Sequence, residues 1–265
     1  MAKQEIDKNI VMCLTTGRSG TNLLEKLLGL AEDTHAVHEP VPEFHKVLPE
    51  VRKNPQAAID FVRDHKLPAI LAVKEKNYVE TSHLFGKGFY EAFLELGIPF
   101  SLIILNRDPR EVAQSFWRIK SIPRRKRYGR EFMFDPAQSG VIKMKNWRFK
   151  SDYQLCYWYA LEVERRKSLY KAECEKRGIP VFEIDITELK DWDKFQALCK
   201  TCALSLPEGT QEKFEAVSET KVNLKTKHKP RRNFRSFDAQ EEGVWKALGD
   251  AGKVLREEVV KRYQA

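Results

Sequence analysis

Four short runs rich in aliphatic and β-branched residues most constrain what this chain can fold into. The runs are nearly continuous in hydrophobicity rather than alternating, which is typical of strands buried on both faces of a sheet. Because helical patterns follow most of them, we expect an α/β fold in three layers, with helices on both faces of a central parallel sheet. The runs are Ile10 to Leu14, Ile70 to Val73, Phe100 to Leu105 and Val181 to Ile186.

The helical patterns predict where the intervening helices lie. A leucine stripe follows the first run, and Pro109 stands where a first-turn proline would open a helix after the third. Two longer patterns cover Asp152 to Lys176 and Ala239 to Tyr263. No internal repeat and no linker rich in Gly, Ser or Pro interrupts the chain, so the sequence predicts one domain over residues 1–265.

A segment of about 119–150 matches neither the helical nor the strand period. We interpret it as a basic insertion between two core helices, and insertions of this length are often lids or binding loops. A solvated flexible loop is an equal alternative from the sequence.

The positive charge is concentrated rather than spread. The net charge is +9, yet residues 118–150 alone carry eleven Lys and Arg against two acids, and residues 221–235 carry seven with no acid. The remainder of the chain therefore nets −7. Two basic segments on an acidic protein suit a compact anionic ligand, while binding to a nucleic-acid backbone stays an alternative.

The composition is that of a globular protein, with 42% hydrophobic and 32% charged residues. No apolar run approaches the length of a membrane span, and the first residues lack a signal core. Five cysteines at irregular spacing are typical of reduced thiols. We therefore expect a cytoplasmic protein that does not bind membranes.

The first run leads through a glycine turn into the leucine helix. Strand, glycine turn and helix is the geometry that directs backbone N–H groups at a phosphate, and the helix dipole adds positive charge there. The turn has no GK[ST] sequence, which disfavours nucleoside triphosphate hydrolysis. Its residues are Gly17, Arg18, Ser19, Gly20, Thr21 and Asn22.

The third run supplies a second anion-binding pattern. Arg107 follows the run directly, and Ser115 stands eight residues later on the predicted helix. An arginine at a strand end can reach a ligand at the carboxyl edge of a parallel sheet. Taken alone, Arg107 would more often pair with Asp108 or Glu111 at the surface.

Together these motifs resemble those of the sulfotransferases that use 3′-phosphoadenosine 5′-phosphosulfate (PAPS). TTGRSGTNLL is similar to their 5′-phosphosulfate loop, and NRDPREVAQSFW to their 3′-phosphate motif. Leu23 stands where the cytosolic branch has a tryptophan, so the chain is closer to the bacterial and tyrosylprotein branches. The resemblance implies a P-loop-like sulfotransferase fold.

The resemblance also implies roles for individual residues. Residues 18–22 would hold the 5′-phosphosulfate, and Arg107 and Ser115 the 3′-phosphate. Arg18 would also contact the leaving phosphate. In the basic tail, Lys227, Arg231 and Arg232 are candidates to close over the 3′-phosphate.

The catalytic base is less clearly marked. The resemblance assigns it to Glu39, and the neighbouring His38 is the alternative because its ordinary pKa suits a base. Lys74, at the end of the second run, resembles a family lysine that assists the leaving group. A solvent-facing lysine is an equal interpretation of Lys74.

The resemblance implies a sulfotransferase that moves a sulfuryl group from PAPS to a hydroxyl or amine of a small-molecule acceptor, such as a natural product. The product of PAPS would be 3′-phosphoadenosine 5′-phosphate (PAP), and no metal is required. The alternatives are a nucleic-acid-binding protein that uses the two basic segments, which leaves both motifs unexplained, and a degenerate P-loop kinase.

Overall fold

A five-stranded parallel sheet forms the centre of the first part of the molecule. The computed structural model describes residues 6–219 and 236–263. The strands lie in the order β2-β3-β1-β4-β5, and every neighbouring pair is parallel. The predicted parallel α/β fold is therefore confirmed. The strands are β1 (Asn9–Leu14), β2 (Thr34–Val37), β3 (Asn77–Glu80), β4 (Ser101–Asn106) and β5 (Val181–Asp185).

Twelve α-helices lie in the described part of the chain. They are α1 (Thr21–Leu28), α2 (Phe44–Val51), α3 (Gln56–Phe61), α4 (Leu67–Ala72), α5 (Tyr90–Glu95), α6 (Pro109–Arg118), α7 (Arg127–Phe132), α8 (Asp152–Arg177), α9 (Trp192–Thr201), α10 (Thr210–Glu219), α11 (Phe237–Leu248) and α12 (Asp250–Tyr263). Short π-helical turns occupy Val62–Lys66 and Phe85–Phe89, and 3₁₀ turns occupy Trp147–Phe149 and Ile186–Glu188.

Three of the four predicted strands are confirmed as β1, β4 and β5. The run Ile70 to Val73 is not a strand, because it contains the last turn of α4, and the strand on that side of β1 is Asn77–Glu80. Pro68 is the second residue of α4 and stands just after the π-helical turn Val62–Lys66. The apolar residues after it therefore continue a helix.

The chain separates into two compact units, and the first contains the sheet. This unit comprises Met1–Asn106 and Leu169–Val222. One face of the sheet, with Val11 and Ile103, packs in a core with buried residues of α1, α9 and α10. On the other face, Leu14 lies against Gly86 of the Phe85–Phe89 turn. Within this unit the sheet is thus covered on both sides.

The second unit comprises Arg107–Ser168 and Asn223–Ala265, and its described elements are helical. Its core joins α6, the first half of α8, α11 and α12. The predicted helix over Ala239 to Tyr263 is two helices, since Gly249 has a φ of 62° and ends α11 there. The predicted count of one domain stays a prediction.

The segment 119–150 is packed rather than solvated. Ile122 and Met133 are each 1% exposed and lie in the core of the second unit. Arg124 and Arg125 form ion pairs with Asp135 and Asp152. Part of its positive charge is therefore compensated inside the unit, and its role as a lid stays a prediction.

No helix in residues 6–219 or 236–263 is long and apolar enough to cross a membrane.

Candidate active site

The turn after β1 has the backbone of an anion-binding loop. Gly17, Arg18 and Gly20 have positive φ angles of 76°, 58° and 88°. The backbone of Arg18 is strained in this conformation, because a residue with a side chain disfavours the left-handed region. Left-handed residues in such a turn point successive N–H groups into one concavity, directly before the N-terminus of α1. The turn thus has the backbone conformation that the predicted phosphate-binding role requires, and phosphate binding itself stays a prediction.

Hydroxyl groups fix the shape of this loop from within. Ser19 is fully buried and its hydroxyl is hydrogen-bonded to that of Thr15. Thr16 donates to the carbonyl of Gly17 over 2.9 Å. Arg18 and Asn22 are half-buried. The Ser19 side chain therefore holds the turn, while Arg18 and Asn22 retain surface for a ligand.

Three strands of the first unit deliver residues to the same edge of the sheet. Because the strands are parallel, their carboxyl ends meet there, and β1 lies between β3 and β4, where ligands bind in such sheets. His38 and Glu39 follow β2, and His83 stands three residues after β3. The N–H of Thr81 donates to the carbonyl of Val37 over 3.0 Å, which continues the pairing of β2 and β3 past their ends.

Glu39 and His83 form a hydrogen-bonded pair at this edge. Oε1 of Glu39 contacts Nδ1 of His83, and the two side chains are 28% and 13% exposed. A carboxylate can only accept a hydrogen bond, so the Nδ1 proton of His83 belongs to this contact. In the neutral imidazole, Nε2 is then the nitrogen with the lone pair. Glu39 thus selects the tautomer of His83.

Opposing effects set the ionisation of the pair. Burial raises the pKa of Glu39, but the charge and hydrogen bond of His83, with His38 and Lys87, lower the pKa below its ordinary value. Burial and the charge of Lys87 lower the pKa of His83, and Glu39 only partly offsets them. At neutral pH we therefore assign an ionised Glu39 and a neutral His83.

His38 is engaged elsewhere. Its Nδ1 lies 2.9 Å from the carbonyl oxygen of Thr81, which accepts, so Nδ1 carries a proton there too. The same nitrogen lies 3.2 Å from Oγ1 of Thr81. His38 therefore fixes the backbone that leads from β3 to His83.

The phosphate loop and the pair are in direct contact. A Cβ added to Gly17 would lie 3.0 Å from Cγ and Cδ2 of the His83 ring. At the other end of the loop, a Cβ on Gly20 would lie 3.1 Å from Ile186, directly after β5. Glycine is thus required at both positions by backbone conformation and by neighbours.

In the second unit, Arg107 lies just before α6. Its Nε donates to Oε2 of Glu111 over 2.9 Å, as the surface interpretation expected, and its side chain is 27% exposed. Ser115 is half-buried one helical turn beyond Glu111, so both lie on one face of α6. Asp108 caps the helix by accepting from the N–H of Arg110 over 2.7 Å.

A family model, the sulfotransferase domain, matches residues 8–159, more than half of the chain. This chain belongs to the sulfotransferase family. The match includes the phosphate loop, Glu39, His83, Arg107 and Ser115. Sulfotransferase activity and the P-loop-like sulfotransferase fold follow from it.

A solved sulfotransferase domain shares the fold of this sulfotransferase. A sulfotransferase domain from the curacin biosynthetic pathway is 13% identical with a TM-score of 0.52, over 78% of this chain and 77% of that one. A sulfotransferase domain from the olefin synthase of Synechococcus PCC 7002 is 15% identical with a TM-score of 0.49, over 78% of both chains. No curated protein matches the sulfotransferase chain significantly.

Lys74 does not lie where its predicted role needs it. The sulfotransferase has no strand over Ile70 to Val73, and Lys74 is an exposed residue in the bend before β3. Lys8 near the start of β1 donates to the carbonyls of Val73 and Glu75 over 2.6 and 2.7 Å. Lys74 is therefore at the amino edge of the sheet, opposite the phosphate loop. The predicted strand-end context is wrong.

The tail candidates Lys227, Arg231 and Arg232 lie outside the described residues.

Two residues near the pair are absent from the sequence-based candidates. His83 follows a strand that was not recognised, and Lys87 is 4% exposed in the turn after it. The detectable signal was a histidine shortly after a short β-prone run, NYVETSH. That run contains Asn77 and Glu80, whose polarity conceals a fully buried strand.

No group of three or more His, Cys, Asp and Glu able to hold a metal occurs within the described ranges. Cys199 and Cys202 are buried free thiols in the core of the first unit.

Proposed function

We propose that this sulfotransferase transfers a sulfuryl group from PAPS to a hydroxyl or amine of a small-molecule acceptor. The observation that carries the proposal is the contact between the phosphate loop and the Glu39–His83 pair. An anion-binding turn and a histidine of fixed tautomer stand at one edge of the sheet. Transfer from a phosphosulfate needs both, within reach of one another.

The donor would be held by its charged ends. The loop N–H groups and the N-terminus of α1 suit the 5′-phosphosulfate, and Arg18 is the loop residue whose charge offsets that of the leaving phosphate. The 3′-phosphate is assigned to Arg107 and Ser115. Since Glu111 already pairs with Arg107, we expect the guanidinium to exchange that exposed ion pair for a phosphate, at little cost.

The acceptor would be activated by His83 rather than by Glu39 alone. A carboxylate of lowered pKa is a weak base. The pKa of His83 is lowered too, which keeps the imidazole neutral near pH 7 and therefore in the form that can accept a proton. Nε2 of His83 takes the acceptor proton as the bond from the acceptor to sulfur forms. The bond from sulfur to the phosphate oxygen breaks, and PAP leaves with that electron pair. Glu39 orients the imidazole and stabilises the imidazolium.

Thermal shift separates this proposal from its alternatives. We expect PAP to raise the melting temperature, and ATP with Mg²⁺ or a DNA duplex to have little effect at physiological salt. Stabilisation by ATP with Mg²⁺ but not by PAP would instead indicate a kinase-like protein. Salt-dependent stabilisation by DNA alone would indicate nucleic-acid binding through the basic segments.

A pair of arginine variants, one just before α6 and one at its last residue, tests the 3′-phosphate assignment. We expect Arg107→Ala to weaken PAP binding by about 1.5–3 kcal/mol, the range for hydrogen bonds to charged groups. Arg118→Ala removes an exposed arginine that bonds only to Gln114 among the contacts seen, and should leave affinity unchanged. Calorimetric titration with PAP measures both. Equal affinities would remove Arg107 from the donor site.

A further inference from the structure

A buried ion pair lies beneath the loop that carries Glu39. Lys66 and Glu80 are 1% and 0% exposed, and Nζ of Lys66 lies 2.9 Å from Oε2 of Glu80. Tyr78 donates its hydroxyl to the same oxygen over 2.6 Å. Glu80 is the last residue of β3, three residues before His83. The pair is therefore anchored on the strand that delivers the histidine.

The lysine reaches from this strand end to the neighbouring loop. Nζ of Lys66 donates to the carbonyl of Pro42 over 3.1 Å and lies 3.4 Å from that of Pro40. It also lies 4.4 Å from the centroid of the Phe44 ring, in the first turn of α2. One ammonium group thus holds both ends of the 40–42 backbone, directly after Glu39.

Three features indicate that this arrangement serves more than stability. Burying two charges costs free energy that their attraction often fails to return, and an apolar replacement is often as stable. Glu80 also leaves Oε1 buried with no hydrogen-bond partner among the described residues. Glu39 itself has a positive φ of 51°, a conformation that needs support from its surroundings. The buried charges of Lys66 and Glu80 therefore lie next to the loop in which the strained backbone of Glu39 must be held.

We infer that Lys66 and Glu80 are positioning residues that fix Glu39 against His83, so that the pair is aligned before substrates bind. Lys66 donates hydrogen bonds to backbone carbonyls in the loop after Glu39, and its ion pair with Glu80 anchors it to the strand that precedes His83. The inference rests on the proposed function for its effect on turnover. The alignment of the pair itself can be observed without any substrate.

The test uses a double variant, because a single change would leave a buried unpaired charge. Lys66→Met with Glu80→Gln removes both charges at similar volume and keeps an acceptor for Tyr78. The control, Lys167→Met with Glu164→Gln, removes another buried pair, with Nζ–Oε1 at 2.6 Å, inside α8. Both double variants are compared with the full-length wild-type chain by thermal melting, calorimetric titration with PAP, and NMR titration of the histidines.

The proposal predicts that the first double variant folds and binds PAP like wild type. Its His83 resonance, assigned with His83→Asn, should lose the influence of Glu39 and titrate at lower pH than in wild type. With PAPS and an acceptor found by screening, kcat should fall about 100-fold, as expected for a misplaced catalytic group, with KM for PAPS unchanged. The control should match wild type in the His83 titration and in kcat.

An unchanged His83 titration in the folded double variant would overturn the inference, and so would a failure to fold, since the pair would then be structural. Failure of the wild-type protein to bind PAP would instead contradict the proposed function. In that case the NMR titration still decides whether Lys66 and Glu80 align the pair.

Discussion

On the proposed mechanism, the protonation of His83 decides the pH dependence of this sulfotransferase. Burial and the charge of Lys87 lower the pKa of His83 below its ordinary value of 6.5, so the imidazole stays neutral to more acidic pH than a free histidine. We expect kcat to be lost only as the pH falls through this lowered value. A pH–rate profile with an acid limb below pH 6.5 would agree. An acid limb at or above the ordinary histidine value would contradict a neutral His83.

Glu39→Gln tests whether Glu39 orients His83 or acts as the base itself. The carboxylate raises the pKa of His83 against the larger opposing effects, so its removal should lower that pKa further. We expect lower kcat, unchanged PAP affinity and an acid limb displaced to lower pH. His65→Gln, an exposed histidine outside the site, is the control. Disappearance of the acid limb in Glu39→Gln would show that Glu39 is itself the base.

The pairing of Glu39 with His83 could not be predicted from the sequence, because the two residues are 44 positions apart in the chain. They meet only because β2 and β3 run parallel in register, with Val37 opposite Glu80. Neither strand was recognised from the pattern. The choice of Glu39 as a site residue came from family resemblance, whereas its histidine partner required the fold.

Among the elements, the phosphate loop was the most predictable from the sequence and strand β3 the least. The loop follows a long apolar strand and carries glycines at positions where φ is positive, so its geometry is marked locally. Strand β3 is four residues long and includes Asn77 and Glu80. The side chain of Asn77 donates to the carbonyl of Glu32, and this hydrogen bond satisfies the buried amide. The two residues are distant in the chain, so no local sequence pattern reveals the bond.

Two glycine variants separate the effect of backbone strain in the phosphate loop from the effect of its contact with His83. Gly17 and Gly178 have similar φ angles of 76° and 69°, but an added Cβ meets the His83 ring at 3.0 Å only at Gly17. We expect Gly17→Ala and Gly178→Ala each to lower the free energy of unfolding by about 1–3 kcal/mol, the cost of a strained φ. Only Gly17→Ala should also lower kcat and weaken PAP binding. Equal activity in the two variants would show that the loop tolerates a displaced His83.

At the scale of the whole molecule, the five cysteines report on the integrity of both units. All five are free and buried, and burial raises the pKa of Cys199 and Cys202 to about 12. Thiolates are therefore scarce and shielded in the native protein. With a chromogenic disulfide reagent at pH 8, we expect no rapid reaction in buffer and five equivalents in guanidinium chloride. A rapidly reacting thiol in the native protein would contradict this burial.

The sheet unit also has a consequence for the order in which the protein is made. Asn9, at the start of the central strand, donates to the carbonyl of Cys202, 193 residues later, and β5 completes the sheet only at Asp185. At about 5–20 residues per second, the first strand leaves the ribosome roughly 10–40 s before that partner exists. The strands that pair with β1 come earlier, since β3 ends at Glu80 and β4 at Asn106, so both edges of this apolar strand lack partners only in the first part of that interval. We therefore expect the nascent chain to be most prone to association before Asn106 is made, a period of which the finished, well-buried core shows no trace.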